Sequence, residues 1–277
     1  MEKQNVNKHG LQRGIDAPIK RDIRQKCGFG CVKCGSAVYQ YEHVDPEFND
    51  AKEHNPNQIV LLCGGCHDLV TRGLLSKDTI KTLALNPKCK QTGFSFGPFD
   101  IGTEPPEIIV GTYRCKNVKT LISVHGESIL SVNPPESETA PFSINALMRD
   151  REGNELLRIE NNEWKSKSDN WDVEVTGRTI TIRKKLGDIA LVIRADPPNK
   201  LTIVRMEMEY NGVKISCKEN DNIAITNPNG TILYTNGMTV VNYEIGLNIR
   251  ENGFDLPSGG GPGSSVSMDY FRVGGRK

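Results

Sequence analysis

Apolar positions along the chain follow two different patterns. Residues 16–26 mix apolar and basic side chains behind an early proline, Pro18, and predict a short helix that ends at Cys27-Gly28. Residues 37–44 carry Val38, Tyr39, Tyr41 and Val44 and favour extended backbone. A polar loop follows over residues 45–57. The apolar run Ile59–Leu62 then predicts a second short strand. Two helical patterns come next, from His67 to Leu75 and from Ser76 to Leu85, with Ser76 as a candidate N-cap for the second. The order is ββα with helical flanks.

From about Pro98 the pattern changes. A Pro/Gly-rich connector leads into short β-rich runs separated by turn dipeptides such as Glu152-Gly153, Asn211-Gly212, Asn229-Gly230 and Asn236-Gly237. Strand spacing alone does not choose among a sandwich, a barrel and an irregular β-roll. The final stretch begins as a flexible Gly/Ser segment in which Tyr270, Phe271 and Val273 are placed to dock as a short strand. The expected class is α+β: a small domain at 1–98, a linker at 99–108, a mostly antiparallel all-β domain at 109–255 and a flexible tail at 256–277.

A length of 277 residues fits two domains. A charged fraction of 25% and no apolar run long enough to span a bilayer exclude a helical membrane protein, so no membrane partner is expected. The first residues lack the apolar core of a secretory signal, and a cytoplasmic location is expected. The net charge of +1 is unevenly placed: residues 1–98 hold 14 Lys/Arg against 10 Asp/Glu, and the remainder 21 against 24. The excess gathers around Lys20, Arg21, Arg24, Lys26 and Lys33. On its own such a run reads as a solvated helix face.

Six of the eight cysteines lie in the first 98 residues, and Cys31-Val-Lys-Cys34 and Cys63-Gly-Gly-Cys66 form a pair of pairs. In a reducing compartment, free thiolates at this spacing favour a tetrahedral Zn²⁺ over disulfides. Cys27 is a weaker alternative ligand, because the two-residue spacer makes the better chelate. Cys89, Cys115 and Cys217 read as small buried apolar residues.

The stretch Cys31 to His67 carries the chemistry: the first pair, then Glu42-His43-Val-Asp-Pro46, then Asn57-Gln58-Ile-Val-Leu-Leu-Cys63-Gly-Gly-Cys66-His67. It resembles the HNH endonucleases, the ββα-metal or His-Me finger nucleases, in their zinc-knuckle form. The resemblance covers roughly residues 18–80 and leaves the β-rich region unassigned. It implies His43 as general base, Glu42 and His67 as ligands of a catalytic Mg²⁺ or Mn²⁺, and structural Zn²⁺ on Cys31, Cys34, Cys63 and Cys66. The substrate it implies is DNA.

Elementary chemistry reaches the same residues. Phosphodiester hydrolysis needs a proton acceptor for the attacking water and a cation to spread charge on the phosphate oxygens. Strand neighbours point to opposite faces, so Glu42 and His43 converge only if the strand bulges or ends there.

This chain departs from the family pattern in three places. The acid is Glu42 where Asp is commoner, and the middle-amide slot holds Gln58 with Asn57 one position earlier. The spacer between the cysteine pairs is 28 residues, which reflects an inserted polar loop. Either amide serves as a brace behind His43. Asp45 reads as a turn residue, and His9, His54 and His125 as structural. Beside such a site Lys20, Arg21, Arg24, Lys33 and Arg72 become candidate phosphate contacts.

Two functions follow. One is a divalent-metal endonuclease in a bacterial defence or restriction setting, whose β-rich domain regulates, binds an activating partner or self-associates. The other is a zinc ribbon that grips nucleic acid or protein without cutting.

Overall fold

The computed structural model describes residues 6–255 and 257–268, with the backbone alone of residues 270–274. The chain is mostly β, with 50% of the described residues in strands and 13% in helices. It divides into two compact units. The first comprises residues 1–97 and 165–175, and the second comprises residues 98–164 and 176–277. The first unit is therefore discontinuous: eleven residues far along the sequence return to it.

In the first unit, α1 (Ala17–Cys27) begins with proline in its first turn, where the missing N–H costs no intrahelical bond. It places Ile19, Ile23 and Cys27 four apart, and Ile23 and Cys27 are buried. Gly28 ends it in the left-handed region at φ 69°, and a Cβ there would meet the Cβ of Cys89 at 2.9 Å. At Gly30 a Cβ would lie 2.5 Å from the carbonyl oxygen of Gly35, so only glycine lets the first cysteine turn close.

Strands β1 (Tyr39–His43) and β2 (Ile59–Cys63) pair antiparallel, with Glu42 opposite Val60 and His43 opposite Ile59. Residues Ile59 to Leu62 are all buried, so β2 is covered on both faces and reads as a continuous apolar run rather than an alternation. Helix α2 (Gly64–Thr71) starts three residues earlier than the apolar pattern suggests, because the Cys63 sulfur caps it by accepting from the Cys66 N–H. It stops at Thr71, ahead of Gly73 at φ 74°, which leaves Leu74 exposed. Helix α3 (Lys77–Leu85) has the expected Ser76 cap, whose hydroxyl accepts from the Thr79 N–H at 3.1 Å. Helix α4 (Lys88–Thr92) and strand β3 (Phe94–Pro98) complete this stretch.

The returning segment locks onto α1. Arg24 is only 3% exposed, and its guanidinium makes two 2.8 Å bonds to the two oxygens of Asp172, itself buried, plus one of 3.1 Å to Glu174. Gln25 donates to the Trp171 carbonyl at 2.6 Å, and Arg21 lies over the Trp171 ring at 4.9 Å. Arg24 is thus a buried structural cation and is corrected from the set of candidate phosphate contacts. A buried bidentate pair is possible because the fork of the guanidinium satisfies both carboxylate oxygens.

The second unit contains two antiparallel meanders. One runs through Tyr113–Val124, Glu127–Asn133, Ser143–Arg149 and Glu155–Glu160. The other runs from Thr179–Lys185 through Ile232–Asn236. Parallel pairing also occurs: Glu107–Val110 runs beside Lys200–Tyr210, and Tyr113–Val124 beside Thr239–Arg250.

Two expectations change here. The proposed linker at 99–108 is packed, with Phe99 and Ile101 buried and a strand already begun at Glu107. The proposed free tail instead pairs Ser258–Ser267 with Thr239–Arg250, through backbone groups that a glycine run leaves accessible. The backbone of Tyr270–Gly274 pairs with Ile232–Asn236, as the pattern around Phe271 suggested. Among the described residues no helix is long and apolar enough to cross a membrane.

Arg24 generates a stability prediction. Arg24→Ala strips the buried Asp172 carboxylate of its guanidinium and is expected to cost about 3–5 kcal/mol in urea unfolding. A loss below about 1 kcal/mol would show that the pair is not buried in solution.

Candidate functional site

The first cysteine pair sits in the turn between α1 and β1. There the Gly35 N–H donates to the Cys31 carbonyl at 2.8 Å, and the Val32 N–H reaches the Leu61 carbonyl on β2 at 3.0 Å. The second pair is built by the strand-to-helix junction: Cys63 ends β2 and Cys66 lies in the first turn of α2. All four sulfurs fall within 4.8 Å of one another, with Cys34 Sγ and Cys63 Sγ 3.5 Å apart. A tetrahedral thiolate site with metal–sulfur bonds of about 2.3 Å has sulfur edges of roughly 3.8 Å, so these four residues suit a metal ion such as zinc.

The electrostatics agree with the geometry. Burial and the neighbouring sulfurs push the Cys34 thiol up to about 11 and Cys66 higher still. At Cys63 burial also acts upward, but the Cys66 N–H and the adjacent thiols bring it below its ordinary value. Such a cluster cannot hold several thiolates without a cation to neutralise them.

Cys27 and Cys89 are buried, and burial lifts both thiols to about 12. Neither belongs to the four-sulfur group. Cys89 instead donates to the Gly35 carbonyl at 3.4 Å. Cys115 and Cys217 are buried in the second unit.

Next to this cluster lies a cavity of about 760 Å³ lined by Glu42, His43, His67, Arg13, Lys20 and Lys77, among others. Glu42 Oε2 and His67 Nε2 are 3.2 Å apart, one contributed by β1 and the other by α2. Both neighbours line the cavity, together with Gln40 and Tyr41 of β1.

His43 is 8% exposed. Phe48 packs edge-on against its ring at 5.4 Å, and Nε2 lies 3.1 Å from Nδ1 of His54. Burial, then the nearby His54, Lys77 and Arg13, lower His43 to about 4. Its imidazole is therefore neutral at physiological pH and able to accept a proton. An arriving anion acts in the opposite direction and makes it more basic.

The remaining candidate residues are more scattered. Asn57 and Gln58 line a different cavity, with Lys26, Cys27 and Val44. Lys26 donates to the Asn57 side chain. Gln58 contributes its backbone, whose carbonyl accepts from the Val44 N–H at 2.9 Å and so pins the residue after His43. Among the basic candidates Lys20 lines the His43 cavity, and its ammonium lies 5.9 Å from the centre of the Tyr41 ring. Lys33 is exposed. Arg72 is exposed and paired with Asp68 at 2.8 Å.

Arg13, which lines the cavity, was not among the sequence candidates, and two further residues of the site escaped the sequence as well. Lys77 lies 3.5 Å from Glu42 Oε1 and 2.9 Å from Glu47, and it donates to the His43 carbonyl at 3.2 Å. His54, read as structural, is the partner of His43. Neither stands in a motif, and the only signal for His54 was its place in the inserted loop. No family model, curated protein or solved structure matches the chain.

Two measurements follow from this geometry. Elemental analysis is expected to find about one zinc per chain, and a Cys63→Ser, Cys66→Ser double variant is expected to lose both the metal and the cooperative unfolding of the first unit. In NMR titrations of the free protein, His43 is expected to stay neutral as pH falls to about 5, because its folded-state value lies below that of an exposed histidine. A midpoint near 6.5 would mean that the ring is solvated.

Proposed function

We propose that the first unit is a divalent-metal-dependent endonuclease of the HNH type acting on DNA, with a ββα-metal fold stapled by zinc on Cys31, Cys34, Cys63 and Cys66. The observation that carries this reading is the meeting of Glu42 and His67 at 3.2 Å in one cavity with His43. A zinc ribbon that only binds has no use for an acid, two imidazoles and several cations around one cavity.

In this reading Glu42 and His67 hold Mg²⁺ or Mn²⁺, which when bound offsets the charge developing on the phosphate and leaving oxygens. Arg13, Lys20 and Lys77 draw the phosphodiester in, since cationic side chains around a concave site bind phosphate by charge and release its counterions. His43 takes the proton of the attacking water. The water oxygen bonds to phosphorus as the bond to the leaving oxygen breaks, and solvent protonates that oxygen. General-base assistance of this kind contributes about 10²–10⁴ in rate.

The wider setting, a bacterial defence or restriction effector whose β-rich unit regulates activity, binds an activating partner or self-associates, belongs to the same proposal. Its net acidity disfavours the second unit as the main DNA surface.

Plasmid cleavage tests the reading. Supercoiled DNA with Mg²⁺ or Mn²⁺ is expected to be nicked or degraded by the wild-type chain, with loss of cutting in EDTA and a fall of at least about 10²-fold in His43→Ala. Undiminished cutting by that variant would remove His43 as the base. Glu42→Gln is expected to shift the metal requirement to higher concentration.

A further inference from the structure

The two ring nitrogens of His43 have different environments. Nε2 faces Nδ1 of His54 at 3.1 Å, and His54 Nε2 in turn lies 2.8 Å from the backbone carbonyl oxygen of Gln12. A carbonyl oxygen only accepts, so His54 Nε2 carries the hydrogen and the Nδ1 of a neutral His54 is bare. That bare nitrogen accepts from His43, which places the His43 hydrogen on Nε2 and the lone pair on Nδ1. The direction of the whole chain of bonds is thus set by one backbone carbonyl. Among the described residues His43 Nδ1 has no hydrogen-bond partner. His43 itself lines the cavity that Glu42 and His67 share.

We propose that His54 is a positioning residue that locks His43 in its Nε2–H tautomer and so presents Nδ1 to the Glu42–His67 cavity as the proton acceptor. The inference deepens the endonuclease reading and rests on it for the meaning of that proton transfer. The tautomer itself depends only on the two histidines and Gln12.

Phe48 and Asn7 pack around this pair. Phe48 stacks on His54, with ring planes 12° apart, while its edge packs on His43. The Asn7 side chain donates to the carbonyls of Phe48 and Ala51 at 2.5 and 2.6 Å, which ties the loop bearing His54 to the N-terminal segment that supplies Gln12. When Nδ1 takes a proton from water, the O–H bond breaks and its electron pair stays on the attacking oxygen. His43 becomes an imidazolium whose Nε2–H bond to His54 strengthens through the added charge. A neutral acceptor stands behind the base, where a carboxylate would have added a negative charge.

The test reads ring nitrogens directly. Long-range ¹H–¹⁵N correlation spectra of the full chain near neutral pH, with His43 assigned through His43→Gln, are expected to show protonated Nε2 and bare Nδ1. His54→Ala is expected to give a mixture of tautomers. His54→Asn, whose side-chain oxygen takes the place of Nδ1, is expected to restore the single form.

In plasmid cleavage the alanine variant is expected to lose about 10–100-fold in kcat with KM nearly unchanged, and the asparagine variant to regain most of it. A wild-type His43 carrying its hydrogen on Nδ1, or an unchanged single Nε2–H form in His54→Ala, would overturn the proposal even if the protein cuts DNA. The expected spectra in a wild-type protein that cuts nothing would support the lock and instead count against the endonuclease reading.

Discussion

Four cysteine sulfurs of the first unit lie within 4.8 Å of one another, a set that could hold a metal ion such as zinc. They come from a turn before β1 and from the junction of β2 with α2, so whatever joins them fixes where that helix begins. Because Cys66 is followed at once by His67, fixing the helix start also aims His67 at Glu42 on β1. Zinc binding to such a set is worth on the order of 10–16 kcal/mol, comparable with the whole stability of a typical domain.

A second constraint is the buried charge at Arg24. Moving a guanidinium out of water is costly, and the cost is offset only because Asp172 meets it with both oxygens and Glu174 adds a third contact. The partners lie about 150 residues away in sequence, in the eleven-residue segment that rejoins the first unit. The basic run that reads as one surface is therefore split by the fold. Lys20 lines the cavity, Arg21 stacks on Trp171, and Arg24 enters the core.

The loop between β1 and β2 shows how a polar insertion becomes part of a site. It brings Phe48 and His54, stacked on each other, against His43, and its anchor is Asn7 in the N-terminal segment. A buried imidazole needs a hydrogen-bond partner, and here another imidazole provides it, itself oriented by a backbone carbonyl. The same burial keeps His43 uncharged.

Spacing along the chain was enough to place the cysteine pairs, the short strand before His43, the apolar strand before Cys63 and the capped helix after Ser76. Each of these is a local matter of chelate geometry, β-propensity or capping, decided within a few residues. The β-rich character of the second unit was legible for the same reason. Its parallel pairings were not, nor was the strand made by the glycine-rich end, because strand partners are chosen by contacts across the sheet. The site divides along the same line. Glu42, His43 and His67 stood out as a motif, whereas Lys77, His54 and the burial of Arg24 depend on residues that meet only after folding. A side chain's chemistry is written in its own identity, but its charge state, its tautomer and the face it presents are set by neighbours that folding brings from elsewhere in the chain.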